Sequence, residues 1–357
     1  MILAGGSGTR FWPASRRALP KQYLSIAGGK PMIAETLARL EGLVPIERTL
    51  VVSARNQSEA LAKALPGLPR ENLLLEPCAR NTAASIAWAA LEIRRRAADA
   101  VQVVLPSDHV IRPAERLRAS LRAGLDEAAR SGALVTFGIR PTRPATGFGY
   151  IEVGEPVPDA AARSPGAAPP NAGVFAVRRF VEKPDEARAR EFLASGRYLW
   201  NAGIFAWRVD AILAALARHA PRTLAGLESL PLGAALDAAW EALPSVSIDV
   251  AVLERESSVR TLPIDYFWSD VGTWNSLADV LAADAAGNVA AGGTELATID
   301  ASGNIAHGEP GKLIALVGVD GLVVVRSGDV VLVAPRARAD EVRALAERLA
   351  REGSKFA

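Results

Sequence analysis

Gly5, Gly6 and Gly8 follow the short apolar run Met1–Ala4, and Arg10 and Lys21 come soon after them. Glycine tolerates positive φ and lets a bulky anion approach the main chain, so such a turn presents backbone N–H groups to phosphate. A guanidinium and an ammonium add charge for phosphate oxygens. The segment reads as a strand followed by a loop for a nucleoside triphosphate. Two common phosphate loops are excluded. The Gly-Lys pairs Gly29-Lys30 and Gly311-Lys312 lack the spacing and the hydroxyl of a P-loop. Phe11 stands where a dinucleotide fingerprint needs its third glycine.

Asp108 stands just beyond the apolar run Val101–Leu105, in Leu105-Pro-Ser-Asp-His109. A carboxylate at a strand tip is placed to hold Mg²⁺ against triphosphate oxygens, because Mg²⁺ takes one or two carboxylates plus phosphate. The same position also suits an aspartate that caps a turn. His109 reads as structural or as a hydrogen-bond donor, since the nucleophile of a phosphate transfer needs no base. Glu76 opens Glu76-Pro77-x-x-Arg80-Asn81-Thr82-Ala83. A carboxylate can accept both N–H donors on the edge of guanine, while Thr82 is equally suited to cap a helix over 82–98.

As a set, these segments resemble the sugar-1-phosphate nucleotidyltransferases. Gly5-Gly-x-Gly-Thr-Arg10-Phe-Trp-Pro13-x-Ser15-Arg16 with Pro20-Lys21 carries the likeness, and its Trp12-Pro13-x-Ser-Arg ending is similar to the mannose-1-phosphate guanylyltransferase branch. Phe11 replaces the usual leucine. The resemblance implies that Leu3, Gly5, Gly6, Ser7, Gly8, Thr9, Glu76, Asn81, Thr82, Pro106 and Asp108 bind nucleotide, with Arg10 and Lys21 stabilising phosphate charge during transfer. Trp268-Ser-Asp270-Val-Gly272-Thr-Trp274 resembles the family segment that supplies a second metal carboxylate, which implies Mg²⁺ held by Asp108 and Asp270. Trp268 and Trp274 are expected as core aromatics beside that loop.

Three further segments resemble the family's sugar-phosphate side. Gly147-Phe-Gly-Tyr-Ile151 implies main-chain contact with the sugar at Gly147. Phe180-Val-Glu182-Lys183-Pro184 implies Glu182 on sugar hydroxyls and Lys183 on the phosphate, and Trp200-Asn201-Ala-Gly203-Ile-Phe205 implies Asn201 on another hydroxyl. Ser247-Ile-Asp249-Val-Ala-Val-Leu-Glu254 also matches the branch, its carboxylates expected to order a loop near the site. The implied reaction joins GTP and mannose 1-phosphate into GDP-mannose and pyrophosphate. A sibling transferase with another nucleotide or hexose, and a non-catalytic nucleotide-binding subunit, are the rival readings. The resemblance spans about residues 1–275, and the cupin-type isomerase extension of bifunctional relatives is not expected here.

The elements that must position these residues alternate. Strand-like runs at Leu50–Ser53, Val101–Leu105 and Ala133–Ile139 are interleaved with helical patterns at Pro31–Leu40, Gln57–Leu65, Thr82–Ala98 and Ala114–Arg130. Alternation predicts an α/β, Rossmann-like, doubly wound and mostly parallel sheet, of the nucleotidyltransferase type by resemblance. Helical patterns return over Val209–Leu230, and Glu155–Asn171 reads as an Ala/Pro/Gly-rich surface excursion. Beyond about Asp284 short β-branched runs alternate with Gly and Asp turns, ending in an amphipathic helix around Asp340–Arg351. Residues 1–283 are thus expected as the catalytic domain and 284–357 as a small β-rich unit. The resemblance implies a left-handed β-helix there and a homodimer through it.

Among 357 residues, 41 Lys and Arg against 39 Asp and Glu leave a formal charge of +2, which offers nothing to nucleic acid. Half the residues are hydrophobic, enough for an extensive core. The single cysteine, Cys78, excludes an intrachain disulfide and fits a reducing compartment. With no run of about 18 apolar residues and no signal-like start, no membrane partner is expected and the expected location is the cytoplasm.

Overall fold

The computed structural model describes residues 1–6, 8–16, 19–158, 173–230 and 235–356. Eleven strands are described up to residue 269. They are β1 (Ile2–Ala4), β2 (Val51–Ala54), β3 (Leu73–Glu76), β4 (Val101–Pro106), β5 (Val110–Arg112), β6 (Leu134–Ile139), β7 (Tyr150–Pro156), β8 (Phe175–Val181), β9 (Tyr198–Arg208), β10 (Val259–Ile264) and β11 (Phe267–Ser269). Between them lie the helices α1 (Met32–Ala38), α2 (Ser58–Ala64), α3 (Asn81–Arg96), α4 (Ala114–Ser131), α5 (Glu186–Ser195), α6 (Val209–His219), α7 (Pro221–Glu228) and α8 (Ala235–Glu241). Pro221 ends the long helical pattern after Val209 as two helices, since proline has no N–H for the preceding turn. Of the expected excursion, residues 159–171 lie outside the described residues, and Glu155 and Pro156 end β7.

Nine strands form one sheet in the order β3-β2-β1-β4-β9-β6-β10-β8-β7. β3, β2, β1 and β4 are parallel, as are β6 and β10. β9 runs against both β4 and β6, so the sheet is mixed. Successive side chains of a strand point to opposite faces, and both faces are covered. Val52 and Val104 join one core with α3, α6 and α7, while Val51, Val103 and Leu105 join another with α1, α2 and α4.

The chain order across β3-β2-β1-β4 reverses beside β1, and ligands of such sheets bind at the carboxyl ends of the strands at that switch point. The glycine loop after β1 and Asp108 after β4 both lie there. Because β9 is antiparallel, its beginning reaches the same edge, bringing Asn201 and Gly203. Gly203 adopts φ +67°, where a side chain is strained, and the β6–β9 register shifts between Thr136 and Gly138.

After α9 (Leu277–Val280) come β12 (Val289–Ala291), β13 (Glu295–Ile299), β14 (Ile305–His307), β15 (Leu313–Val317), β16 (Leu322–Ser327), β17 (Val330–Pro335) and α10 (Val342–Arg351). β12, β14 and β16 stack in parallel, and β13 stacks on β15. An asparagine ladder joins successive coils. Asn304 donates Nδ2 to Asn288 Oδ1 at 2.9 Å and accepts from the Leu322 N–H at 2.9 Å. This unit shares a core with the glycine loop: Phe11, Trp12 and Trp274 pack with Val289, Ile305, Val323 and Val342. Trp274 donates to the Trp12 carbonyl at 3.1 Å.

Candidate active site

The turn after β1 owes its shape to Gly8, which adopts φ +62°. A Cβ there would lie 2.6 Å from the Lys21 backbone nitrogen, so only glycine lets the loop close onto Lys21. Gln22 holds the loop from beneath, donating to the carbonyls of Ala4 at 2.8 Å and Gly6 at 3.1 Å. Lys21 is only 5% exposed. Its ammonium donates to Asp108 Oδ2 at 2.9 Å and to the Asp270 carbonyl at 2.6 Å. Arg10, in the next short helical turn, is exposed. Ser7 lies outside the described residues.

Asp108 and Asp270 are brought together by a two-stranded ribbon. β5 begins two residues after Asp108, β11 ends one residue before Asp270, and the two pair antiparallel with Val110 opposite Ser269. Burial opposes charge on Asp108, but Lys21 and its hydrogen bond outweigh this and hold the carboxyl below its ordinary range. Val271 takes φ +44°, an uncommon conformation for a β-branched residue, which marks the turn as strained. A Cβ on Gly272 would come within 2.9 Å of Asp270 Oδ2. His109 is pulled below its ordinary pKa chiefly by burial and is neutral at pH 7, accepting from Trp268 Nε1 at 3.3 Å.

Two cavities, of about 440 and 390 Å³, open on either side of this pair and share Asp108, His109 and Asp270. The smaller is lined by Gly8, Thr9, Arg10 and Lys21. The larger has two ends. At one, Leu3, Gly5, Gly6 and Pro106 meet Glu76, Asn81 and Thr82. Glu76 is 3% exposed and accepts from Ser85 Oγ; burial pushes its carboxyl up to about 7. Thr82 does not cap α3, which starts at Asn81. Its Oγ1 accepts from the Ile248 N–H at 2.9 Å.

The other end of the larger cavity holds Gly147, Glu182 and Asn201. A Cβ on Gly147 would meet nothing within 4 Å, whereas one on Gly149 would lie 2.7 Å from Glu182 Oε2. The close approach in this Gly-x-Gly pair is therefore at Gly149. Lys183 lines neither cavity; it is exposed and donates to Glu182 Oε1 at 2.6 Å. Asn201 Nδ2 donates to Asp249 Oδ1 at 2.9 Å, while its Oδ1 accepts from Thr136 Oγ1 and the Gly203 N–H, each at 3.1 Å. Asp249 sits in a single π-helical turn and lines the cavity. Burial, then the neighbouring Glu182, push its carboxyl up to about 7. Glu254 orders the strand end, accepting from the Glu182 N–H at 2.8 Å.

The arrangement has an anion-binding loop with two cations, two adjoining carboxylates, a buried carboxyl at one end and a polar cluster at the other. A family model described as nucleotidyl transferase matches residues 1–287. The chain belongs to the nucleotidyl transferase family. A second model, described as MannoseP isomerase/GMP-like beta-helix domain, matches residues 294–349. The chain is 39% identical to xanthan biosynthesis protein XanB of Xanthomonas campestris over 99% of its own length and 73% of that protein's. It is 37% identical to mannose-1-phosphate guanylyltransferase of Escherichia coli over 98% of itself and 73% of that enzyme. Its fold superposes on a crystal structure named mannose-1-phosphate geranyltransferase, from Thermus thermophilus, with TM-score 0.86, at 36% identity over 98% of both chains.

Several residues at the site carried no signal in the sequence. Ser85 lies one helical turn along from Asn81 and becomes Glu76's partner only when α3 docks on β3. Trp268 was expected as a core aromatic, yet it lines the larger cavity beside Phe148 and His109. Arg343 and Glu347, from α10, line the smaller cavity.

Asp108 and Asp270 supply hard oxygen donors, which fit a small divalent cation. Among the described residues no group of three or more His, Cys, Asp or Glu side chains is arranged to hold a metal. Two carboxylates beside an anion loop match an ion that takes its remaining oxygens from phosphate. Among the described residues no helix is long and apolar enough to cross a membrane.

Proposed function

We propose that the chain transfers GMP from GTP to mannose 1-phosphate, forming GDP-mannose and releasing pyrophosphate. The observation that carries this reading is that the two cavities share Asp108 and Asp270, so a base and a sugar at the two ends of the larger and phosphates beside the glycine loop in the smaller would converge on those carboxylates. A phosphate oxygen of the sugar phosphate is already ionised near neutral pH, so the attack on the α-phosphorus needs positioning and charge neutralisation rather than a base.

Leu3, Gly5, Gly6, Gly8, Thr9 and Pro106 enclose the nucleotide in this reading. Glu76, with Asn81 and Thr82, faces guanine, whose paired N–H donors its carboxylate accepts. Gly147, Glu182 and Asn201 receive the mannose hydroxyls. Lys183, exposed beside Glu182 just beyond β8, is assigned to the sugar phosphate. Arg10 and Lys21 face the α-phosphate and the departing pyrophosphate, and their charge counts most where it develops in transfer. Asp108 and Asp270 are the residues that would hold Mg²⁺, which neutralises phosphate oxygens in such transfers.

Residues 1–283 are the transferase unit in this reading, and 284–357 support the glycine loop. The apolar side chains Ile299, Leu313 and Val317, each 60% exposed or more along β13 and β15, are where a second copy would pair.

Pyrophosphate release, measured across four nucleoside triphosphates and several hexose 1-phosphates with and without Mg²⁺, tests the reaction. Release is expected with GTP and mannose 1-phosphate and is lost on chelation. No release with any pair overturns the reading, and release with another pair moves the chain to a sibling specificity.

A further inference from the structure

α10 lies against the glycine loop, and its residues divide by face. Val342 and Ala346 are buried in the core shared with Phe11 and Trp12. Arg343 and Glu347, one position further round the helix, line the cavity that also contains Arg10 and Lys21. Residues beyond the helix hold the other side of the loop, where Trp12 Nε1 donates to the Phe356 carbonyl at 2.7 Å. The C-terminal unit thus supplies a wall of the phosphate cavity.

Charge decides what that wall can do. The Lys21 ammonium lines the cavity but already donates to Asp108 and to the Asp270 carbonyl, while Arg10 is the exposed cation of the loop. A triphosphate brings several negative charges, which Arg10, a Lys21 already paired with Asp108, and a divalent ion leave incompletely balanced. Arg343 Nε donates to Glu347 Oε1 at 2.7 Å, one turn along the helix. Among the described residues its two Nη groups have no hydrogen-bond partner. A guanidinium oriented through Nε presents its Nη edge as a fork suited to phosphate oxygens.

We propose that Arg343 is a phosphate-binding residue of this site, contacting the pyrophosphate portion of the bound nucleotide, with Glu347 as its positioning residue. The assignment rests on the nucleotidyl-transfer reading of the cavity. It makes the C-terminal unit a contributor of substrate contacts as well as a support for the loop.

The test is calorimetric titration of inorganic pyrophosphate with Mg²⁺ into the full chain and into Arg343→Ala, Arg343→Gln, Arg343→Lys and Glu347→Gln. Binding is expected to weaken at least tenfold in the Ala and Gln variants, the loss of one charge-assisted contact, and to recover in part in Arg343→Lys. Glu347→Gln is expected to weaken it less. Mannose 1-phosphate affinity and the circular dichroism spectrum should stay unchanged. In the reverse reaction, KM for pyrophosphate should rise while KM for GDP-mannose stays constant. Wild-type affinity in the folded Ala or Gln variant overturns the proposal, as does a wild type that does not bind pyrophosphate. A wild type that binds pyrophosphate in an Arg343-dependent way but releases none from any substrate pair overturns the transferase reading and leaves Arg343's role standing.

Discussion

The ammonium of Lys21 donates to Asp108 Oδ2 at 2.9 Å from a buried position beneath the glycine loop. It also reaches the Asp270 carbonyl, so one side chain ties together three segments distant in sequence. Lys21 thereby favours the ionised form of Asp108 and, in the proposed reading, places a cation beside the phosphates. Replacing it should remove both effects. Lys21→Ala is expected to lower turnover by roughly 10²–10³ with the circular dichroism spectrum retained. A near-wild-type rate in the pyrophosphate-release assay would remove Lys21 from the mechanism.

Gly8 offers a steric prediction. A Cβ at this position meets the Lys21 backbone at 2.6 Å, and its φ of +62° disfavours any side chain. Gly8→Ala should therefore cost on the order of 1–3 kcal/mol and push Lys21 out of place. Thermal melting and steady-state kinetics check it, with a lower Tm and lower turnover expected together. Gly6→Ala is the control for loop tolerance to a methyl group, because a Cβ there meets nothing within 4 Å.

The buried carboxyl of Glu76 predicts a pH dependence. In the folded chain it keeps its proton up to about pH 7, against an ordinary value of 4.5. Between those values the native state holds the extra proton, so this group's contribution to stability falls as pH rises through that window and stays lost above it. Glu76→Gln removes that penalty and keeps an acceptor for Ser85. Its Tm should exceed that of wild type by a few degrees at pH 8, the difference shrinking toward pH 5. Because guanine needs the ionised acceptor, KM for GTP should rise in wild type below pH 7. The preference for GTP over ATP should fall at least tenfold in the variant; an unchanged preference would show that Glu76 does not read the base.

Asp249 is expected to act at the sugar end. It holds Asn201 Nδ2 at 2.9 Å and lines the cavity beside Glu182. Asp249→Ala should raise KM for mannose 1-phosphate about tenfold or more, the cost of one charge-assisted hydrogen bond, with KM for GTP unchanged. Equal changes in both constants would point to a general loosening of the loop instead.

Much of the framework was legible residue by residue. β1, β4 and β6 fall on the apolar runs read as strands, and α3 and α4 within two residues of their helical patterns, because strand and helix periodicity are local properties of a chain. The glycine loop was legible for the same reason: the need for glycine is written at the position itself, and Gly8 shows why in its close approach to Lys21. β9 escaped the pattern. Asn201 and Gly203 interrupt its apolar run, and their tolerance inside a strand depends on Thr136 and Gly138 of β6 and on Gly149 just before β7.

Tertiary structure alone decided the rest. Asp108 and Asp270, 162 positions apart, meet because the β5–β11 ribbon pairs in one register, and no spacing rule encodes that pairing. The antiparallel entry of β9 turned a parallel pattern into a mixed sheet and carried Asn201 to the ligand edge. Arg343 reached the cavity beside Lys21 only through the docking of the C-terminal unit, and the burial that raises Glu76 and Asp249 exists only once helices cover the sheet. Residue types and local periodicity belong to the chain; distances between remote side chains, and the dielectric around them, belong to the fold.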